Sequence, residues 1–443
     1  MSSRPSPSPS SVLSPSDPEV LVHALPNGVR LVAIPLPHVD SVSLSVFVRT
    51  GSRHESVRLN GISHFVEHMA FKGTHERDAH RINLDAERLG ADVNAHTDKD
   101  HTAYHIRGMA RHAGAFVQML ADIVQHSTFP EGELERERQV ILQEYIEDEE
   151  DPLSTAFKLF DKTCYGTHPL AQAVIGTRRN IQRLTRAELL GYVERQYTGP
   201  NVIVGVAGRI DPDAILAEVT QAFGAMPTGT TNDVALPAYV GGARWRRLSG
   251  SSQSHVVLGF PIAPSTAPGC QAGVVAAALF GEGMSSPLMH ELRERRGLVY
   301  YAACSADLTD LTGQFVIEAS TTPEHLDEFY TEVARLLDAH AAGTDPVGLE
   351  RARNQIAVRR LRSEEQPFRR LEEAAQDLFV FGRVRSRAEL DAQVEAVTPA
   401  EVRGVFARML GSRASLALAG HIPKGMAERL PRLFAPTAVP QAA

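Results

Sequence analysis

The sequence predicts an α+β protein of two homologous units, each a mostly antiparallel sheet with helices packed on one face. Three observations support this fold class. Segments that alternate polar and apolar residues, as strands do, are interspersed with segments of helical periodicity. A Gly-, Pro- and Thr-rich stretch divides the chain near its middle. Beyond it, the chain repeats features of its first half.

The dividing stretch and the chain ends give the predicted domain limits. Residues 229–242 are the predicted linker between a first unit at 19–228 and a second unit at 243–433. Residues 1–18 are rich in Ser and Pro and predict a disordered tail, and residues 434–443 are a second tail. The first tail has neither the apolar segment of a secretory signal nor the arginines of a transit peptide.

Composition excludes several classes of protein. The 443 residues carry a net charge of −8, with 43% hydrophobic and 22% charged residues, as in ordinary soluble globular proteins. This charge does not suggest nucleic acid as a partner, and no apolar run is long enough for a membrane span. The three cysteines, Cys164, Cys270 and Cys304, predict reduced thiols rather than a disulfide framework. The Ala- and Arg-rich composition favours a bacterial cytoplasmic location.

The first unit is predicted as a succession of strands and helices. In chain order these are strands at 21–25, 29–34 and 41–48, a helix after Gly61, a helix at 78–91, strands at 92–97 and 102–106, helices at 116–126 and 133–150, mostly helix over 152–200, a strand at 201–208 and a helix at 214–223.

The helix after Gly61 carries the motif His64-Phe-Val-Glu-His68. Residues three and four apart share a helix face, so His64, Glu67 and His68 project together. Two imidazoles one turn apart suit a zinc ion, and a neighbouring carboxylate can take a proton from a water molecule. The alternative is a chance pair of surface histidines, since the chain contains 18 of them. A third ligand further along the chain decides between these interpretations.

The predicted helix at 133–150 offers that ligand. Glu137 and Glu144 lie two turns apart and share a face, and Glu144 follows His68 by 76 positions. Other acids nearby, such as Glu147, compete for the same role.

With these residues, and with Lys72-Gly73-Thr74 and Asn94–Thr97, the chain resembles the pitrilysin/insulinase family of inverzincin peptidases. It is most similar to the short-chain members, which include the β subunit of mitochondrial processing peptidase. The resemblance implies one zinc ion per chain, Glu67 as the general base, Glu137 as a second functional glutamate, and an edge strand that receives substrate as an added strand. The implied metal ligands are His64, His68 and Glu144, and the implied residues of the edge strand are Asn94, Ala95 and Thr97.

The second unit repeats the first without its metal ligands. The segments that begin at Leu134 and Leu349 match, and in this alignment Glu137 becomes Ala352 and Glu144 becomes Arg359. A helix at 326–340 and a strand at 413–420 also have counterparts in the first unit. The alternative is a coincidence between two amphipathic helices, but an internal duplication explains more of the chain.

Residues 281–300 are the most distinctive segment of the second unit. Its G-x-G sequence suggests phosphate binding, but the third glycine of a dinucleotide site is missing. The family resemblance instead implies that Arg296 and Tyr300 reach the substrate. Pro287 stands where the family pattern has an arginine. The alternative for the pair is an ordinary charged helix end and a buried strand tyrosine.

These observations predict a zinc-dependent endopeptidase that cleaves peptides or unstructured segments. The alternatives are a non-catalytic partner or structural subunit of a larger complex on the same fold, and a metal or redox role without proteolysis. The expected partners are a peptide substrate and a second copy of the chain, or a related subunit. In the expected homodimer, Arg296 and Tyr300 of one chain face the zinc of the other.

Overall fold

The computed structural model describes residues 20–434, so the predicted tail at 1–18 and nearly all of the second tail lie outside the described residues. Within that range the chain forms two mixed sheets, each covered by helices, which confirms the predicted α+β class with two homologous units. No helix of the described range combines the length and apolarity needed to span a bilayer.

The strands of the described residues form one sheet in each half of the chain. The first sheet contains β1 (Leu21–Ala24), β2 (Arg30–Pro35), β3 (Ser41–Val48), β4 (Asp92–Thr97), β5 (Thr102–Met109) and β6 (Val202–Gly208). The second contains β7 (Gly242–Arg247), β8 (Ser254–Ile262), β9 (Val299–Leu308), β10 (Gly313–Thr321) and β11 (Ser415–Gly420).

The helices follow the same division. The first half has α1 (Ile62–Ala70), α2 (Ala79–Arg88), α3 (Ala113–His126), α4 (Glu131–Glu150), α5 (Pro152–Tyr165), α6 (Arg178–Arg183), α7 (Arg186–Gln196) and α8 (Pro212–Phe223). The second has α9 (Cys270–Gly281), α10 (Pro287–Met289), α11 (Leu326–Ala342), α12 (Pro346–Glu364), α13 (Pro367–Phe381), α14 (Arg387–Glu395), α15 (Pro399–Leu410) and α16 (Met426–Arg429).

Apart from β1, which has no counterpart in the second sheet, the two sheets have equivalent strand orders. The first runs β1-β2-β6-β3-β5-β4 and the second β7-β11-β8-β10-β9. In both, one parallel pair (β2 with β6, β7 with β11) is followed by antiparallel pairs only. The strands β4 and β9 are therefore equivalent, and each lies at a sheet edge. This shared topology is the structural form of the repeat seen in the sequence.

Each sheet packs its main helical layer on one face. Alternate residues of β3, including Val42, Leu44 and Val46, join a core with Phe65 and Phe116 from the helices of the first half. The second half has a comparable core between its sheet and α9, α11, α12 and α15. Alternation along the strands explains this arrangement, because successive side chains point to opposite faces.

The opposite face of each sheet is covered by one helix from the other half. From α13, Leu371 and Leu378 pack against Phe47 and Ile203 of the first sheet. From α5, Phe160 packs against the second sheet. There, a side chain on Gly259 would overlap the Phe160 ring, since its Cβ would lie 2.5 Å from the ring. These two helices occupy corresponding places in the repeat, so the halves exchange equivalent elements.

Candidate metal centre

The start of α1 is fixed by a buried carboxylate. Glu55, which is only 2% exposed, accepts hydrogen bonds from the backbone N–H groups of Gly61 and Ser63, each at 2.8 Å. It also accepts a bond from the side chain of Asn60 at 2.9 Å. These N–H groups have no partner within the helix, so Glu55 acts as a remote N-terminal cap. The apolar side of α1 then faces the core, and the other side presents the two histidines.

Three side chains from α1 and α4 converge at one point. His64, His68 and Glu144 each offer a ligand atom, and these atoms lie within 4.8 Å of one another. The Nε2 atoms of His64 and His68 lie 3.7 and 3.4 Å from Oε2 of Glu144. The structure therefore brings together the three residues that the sequence analysis proposed as ligands.

This geometry fits a zinc ion. Two ligands bound to zinc at about 2.0–2.1 Å in a tetrahedral arrangement stand about 3.3 Å apart, close to the distances found here. Two imidazoles and one carboxylate also form a known donor set of catalytic zinc, which leaves a fourth position for water.

A second carboxylate orients one of the histidines. Oε2 of Glu137 lies 3.0 Å from Nδ1 of His68, and its Oε1 lies 2.6 Å from Nζ of Lys72. A carboxylate that accepts the Nδ1 proton leaves Nε2 of His68 free to face Glu144. Glu137 therefore contacts a ligand rather than the metal position. Lys72, one turn after His68, belongs to the Lys72-Gly73-Thr74 motif, but the sequence alone did not assign it a role beside Glu137.

The protonation of His64 also suits metal binding. Burial, followed by the nearby His68, lowers the pKa of His64 to about 4. Its imidazole is therefore neutral at physiological pH, which is the form that donates a lone pair to a metal.

Glu67 lies on the same side of α1 but contacts a different element. Its carboxylate lies beside the side chain of Thr97 at the end of β4. Burial raises the pKa of Glu67, and the neighbouring Thr97 hydroxyl opposes that rise. A carboxylate next to a metal site with a raised pKa is suited to accept and return a proton.

Two models of known protein families match this chain. The model of the insulinase family, peptidase family M16, matches residues 30–178, and the model of the M16 inactive domain matches residues 183–356. The chain belongs to peptidase family M16. The first match contains His64, His68 and Glu144, whereas the second covers most of the metal-free half.

Several bacterial relatives of this M16 chain are named uncharacterized zinc proteases. One from Mycobacterium tuberculosis is 31% identical over 438 residues, which cover 95% of this chain and 98% of the relative. One from Bacillus subtilis, YmxG, is 30% identical, with 90% and 98% covered. One from Rickettsia felis is 30% identical, with 82% and 88% covered.

Solved structures share the fold of the M16 chain. A protease from Helicobacter pylori matches with a TM-score of 0.84 and 21% identity, covering 92% of this chain and 100% of that chain. A peptidase M16 inactive domain from Pseudomonas fluorescens matches with a TM-score of 0.82 and 22% identity, covering 91% and 98%. At these identities the comparison concerns the fold alone.

The strand β4 has the exposed edge that the sequence analysis expected. Asn94 is exposed, and its side-chain oxygen accepts a bond from the backbone N–H of Ala95 at 2.8 Å. The Asn94 side chain therefore occupies that N–H group, and an added peptide that pairs with this group must displace the side chain. The preceding contact of Thr97 with Glu67 links the same strand to the metal centre.

Arg296 and Tyr300 lie in the second half, and the contacts described for them are with residues of that half. Arg296 forms ion pairs of 3.1 Å with Glu328 and Glu332 of α11. Tyr300, at the start of β9, is 79% exposed, and the guanidinium of Arg293 lies 5.3 Å from its ring centre. The alternative of a buried strand tyrosine is therefore wrong. The segment before them folds as α10 from Pro287, which Ser286 caps, and continues as a π-helical turn.

The second half has no metal-binding side chains at the positions equivalent to Glu137 and Glu144. Ala352, the counterpart of Glu137, is fully buried. Arg359, the counterpart of Glu144, forms an ion pair of 2.6 Å with Glu282. A cation thus stands where the first half has a ligand, so this half has no matching metal site among these residues.

Sequence analysis missed the residues that support the site through long-range contacts. Glu55 and Lys72 are two examples, and only the spacing of Lys72, four residues after His68, gave a local signal. The acid that pairs with the edge strand's His96, at 3.2 Å, is Glu372 of α13 in the other half. No local pattern connects these two positions.

Proposed function

We propose that this chain is a zinc-dependent endopeptidase that cleaves peptides or unstructured segments. The observation that carries the proposal is the convergence of His64, His68 and Glu144 at ligand distances, with Glu67 beside them. The names of the bacterial relatives support the same chemistry. A zinc ion held by the three side chains would lower the pKa of a water molecule and polarise the scissile carbonyl.

The residues of the chain have distinct roles in this proposal. Glu67 takes the proton of the attacking water and delivers it to the leaving amine. Glu137 keeps Nε2 of His68 directed toward the metal. The edge of β4, at Asn94, Ala95 and Thr97, binds the peptide backbone as an added strand, which tolerates many sequences.

The test uses the purified, zinc-loaded chain and a library of quenched peptides. We expect cleavage that a chelator abolishes and zinc restores, and a mass-spectrometric map of the products gives the specificity. Glu67→Gln should retain zinc and lose turnover. Glu144→Gln should lose zinc, while the control Glu147→Gln, one turn further on the same helix, should keep zinc and activity. Full activity of a zinc-loaded Glu67→Gln enzyme would falsify the assigned mechanism.

We further propose a homodimer in which the two chains complete each other's sites. The exposed Tyr300 and the neighbouring Arg296 can contact a second chain. Their own half lacks the metal ligands, so it provides no metal centre on which the two side chains could act. In a C₂ dimer, each metal centre would then receive Arg296 and Tyr300 from the other chain. A related subunit in place of the second copy is the heterodimeric form of the same proposal.

Complementation tests this assembly. Glu67→Gln and Arg296→Ala chains, each inactive alone, should regain about a quarter of wild-type activity when mixed, because half of the dimers then carry one intact site of two. Arg295→Ala, which removes an exposed partner of Glu291, is the control and should remain active alone. No recovery despite demonstrated subunit exchange would mean that Arg296 does not act across the interface.

The other interpretations make different predictions for the same experiments. A structural subunit would bind zinc without cleaving any peptide of the library. The bacterial cytoplasmic location stays a prediction, which fractionation of the source cells tests.

A further inference from the structure

The turn that follows the edge strand β4 is held by a second segment of the first half. Ser52 N–H donates to the carbonyl of Asp98 at 3.2 Å, and Arg53 N–H donates to the carbonyl of Lys99 at 3.1 Å. The preceding Gly51 lies so close that a Cβ there would stand 2.3 Å from the oxygen of Asp98. The position of this segment therefore determines the position of the turn.

The side chain of Arg53 connects this turn to the other half of the molecule. It is only 5% exposed, and its guanidinium lies 2.9 Å from the carboxylate of Asp100 in the turn. The same guanidinium donates to both carboxylate oxygens of Asp310, at 2.7 and 3.3 Å. Arg49 adds a bond of 3.2 Å to Asp310. Bidentate contacts of this kind fix orientation as well as distance.

Asp310 lies in the turn between β9 and β10 of the metal-free half. Because β9 and β10 are the counterparts of β4 and β5, two equivalent hairpin turns meet across the boundary between the halves. Burial alone would raise the pKa of Asp310, but its bonds to Arg53 and Arg49 hold that pKa below the usual range. The pair is therefore ionised, and removing the carboxylate of Asp310 would leave the buried guanidinium of Arg53 without its bidentate partner, with only Asp100 beside it.

We propose that Asp310 is a positioning residue by which the metal-free half fixes the substrate-binding edge strand of the metal-bearing half. The proposal rests on the proposed function, since it assigns a role in peptide binding at β4. Asp98 directly follows Thr97, the residue that contacts Glu67. Movement of the turn would therefore displace the end of the strand next to the metal centre.

The proposed role makes a specific kinetic prediction. An added strand is bound by its backbone in both the ground state and the transition state, so a displaced edge weakens both equally. Such a loss raises KM and leaves kcat nearly unchanged. Zinc binding depends on α1 and α4. None of the bonds described above joins Asp310 to these helices, so zinc binding should be preserved.

The experiment compares Asp310→Asn with wild type in zinc content, kcat and KM on a quenched peptide. We expect full zinc, nearly unchanged kcat and a rise in KM of about tenfold, within the range of such long-range couplings. In a Glu67→Gln background, the dissociation constant of an uncleaved fluorescent peptide should rise by the same factor. Hydrogen exchange should increase in residues 98–101.

The matched control is Asp377→Asn. Asp377 is a carboxylate of the second half that, like Asp310, is largely shielded from solvent and has a bidentate contact, at 2.6 and 3.1 Å, but its partner is Arg385 of the same half. We expect a comparable loss of thermal stability without a rise in KM. Asp310→Glu keeps the charge, and its KM should lie within about threefold of wild type because the bond to Arg53 can re-form.

The outcomes separate this inference from the proposed function. If the wild-type chain cleaves no peptide, the proposed function fails. If it cleaves peptides and Asp310→Asn leaves KM and peptide affinity unchanged, or if Asp377→Asn raises KM equally, the positioning role is overturned. If Asp310→Asn does not fold, Asp100→Asn, which removes the carboxylate that faces Arg53 from the turn, provides the same measurement. Wild-type KM with wild-type hydrogen exchange in the turn of Asp100→Asn then overturns the role.

Discussion

At the scale of single residues, Glu137 stands between a cation and an imidazole. Its Oε2 lies 3.0 Å from Nδ1 of His68, and its Oε1 forms an ion pair of 2.6 Å with the ammonium of Lys72. Glu137→Gln replaces this carboxylate with a neutral amide of the same shape. Contacts of this type contribute about 10- to 100-fold to metal affinity, so zinc binding should weaken by that factor.

Competition with a chromophoric chelator measures this affinity. The control is Glu133→Gln, one turn earlier on α4, whose partner is the exposed Arg136. Equal zinc affinity of Glu137→Gln and wild type would show that the bond to His68 does not tune the metal. Lys72→Met should act in the same direction as Glu137→Gln.

His54 predicts a pH dependence of stability. Burial, followed by the charges of Arg53 and Arg49, lowers the pKa of its imidazole to about 3, from 6.5. In the unfolded chain the imidazole takes up a proton below about pH 6.5, so unfolding binds a proton between these two values. Stability contributed by this group is therefore lost as pH falls from 6.5 toward 3, at up to about 1.4 kcal/mol per pH unit.

The measurement is urea unfolding at several pH values in the presence of a chelator, so that zinc release does not contribute. His54→Gln keeps an acceptor for the N–H of Gly51, which His54 Nδ1 binds at 3.1 Å. We expect a shallower loss of stability below pH 6.5 for this variant. Parallel curves for the two proteins would assign the acid sensitivity to other groups.

At the scale of secondary-structure elements, α1 depends on a cap that lies outside it in the chain. Glu55→Ala leaves the N–H groups of Gly61 and Ser63 buried without an acceptor. Each such group costs about 1–3 kcal/mol, so we expect a loss of about 3 kcal/mol or more in the free energy of unfolding.

Denaturant unfolding and zinc titration check this prediction together. The control is Asp78→Ala, which removes an exposed cap of α2 that accepts from Arg81 N–H at 2.7 Å and should cost about 1 kcal/mol. Zinc affinity should fall only in Glu55→Ala, because only α1 carries the histidines. A cost no greater than that of Asp78→Ala would mean that water replaces the carboxylate.

At the scale of the whole molecule, the exchanged helices α5 and α13 make each half part of the other's core. Leu371 is 1% exposed and packs on the first sheet although it belongs to the second half. Leu371→Ala should cost about 2–5 kcal/mol, the range for buried Leu to Ala. Because the cores share these helices, both halves should unfold in one transition.

Two probes test that cooperativity. The single tryptophan, Trp245, lies on β7 and reports on the second half, whereas circular dichroism reports on the whole chain. The two signals should change at the same denaturant concentration in wild type and in Leu371→Ala. The control Leu361→Ala, at a site that is 44% exposed, should shift neither signal by much. Separate transitions would show that the halves fold independently.

The sequence alone determined the fold class and the candidate metal ligands of this protein. The spacing of His64, Glu67 and His68 encodes a shared helix face, and strand alternation encodes which side chains of β3 face the main helical layer, although both faces of this strand are buried. The repeat encodes two sheets of equivalent topology. These features are local or periodic, so they can be read without knowing which segments meet.

Only the tertiary structure decided how the halves support one another. The bonds of Arg53 to Asp310 join residues 257 positions apart, and those of Glu55 to the first turn of α1 depend on a loop of irregular backbone. The repeat did not predict that α5 and α13, which follow α4 and α12, each cover the sheet of the other half. Such contacts depend on the relative placement of whole elements, which the packing of apolar faces fixes and no local pattern records.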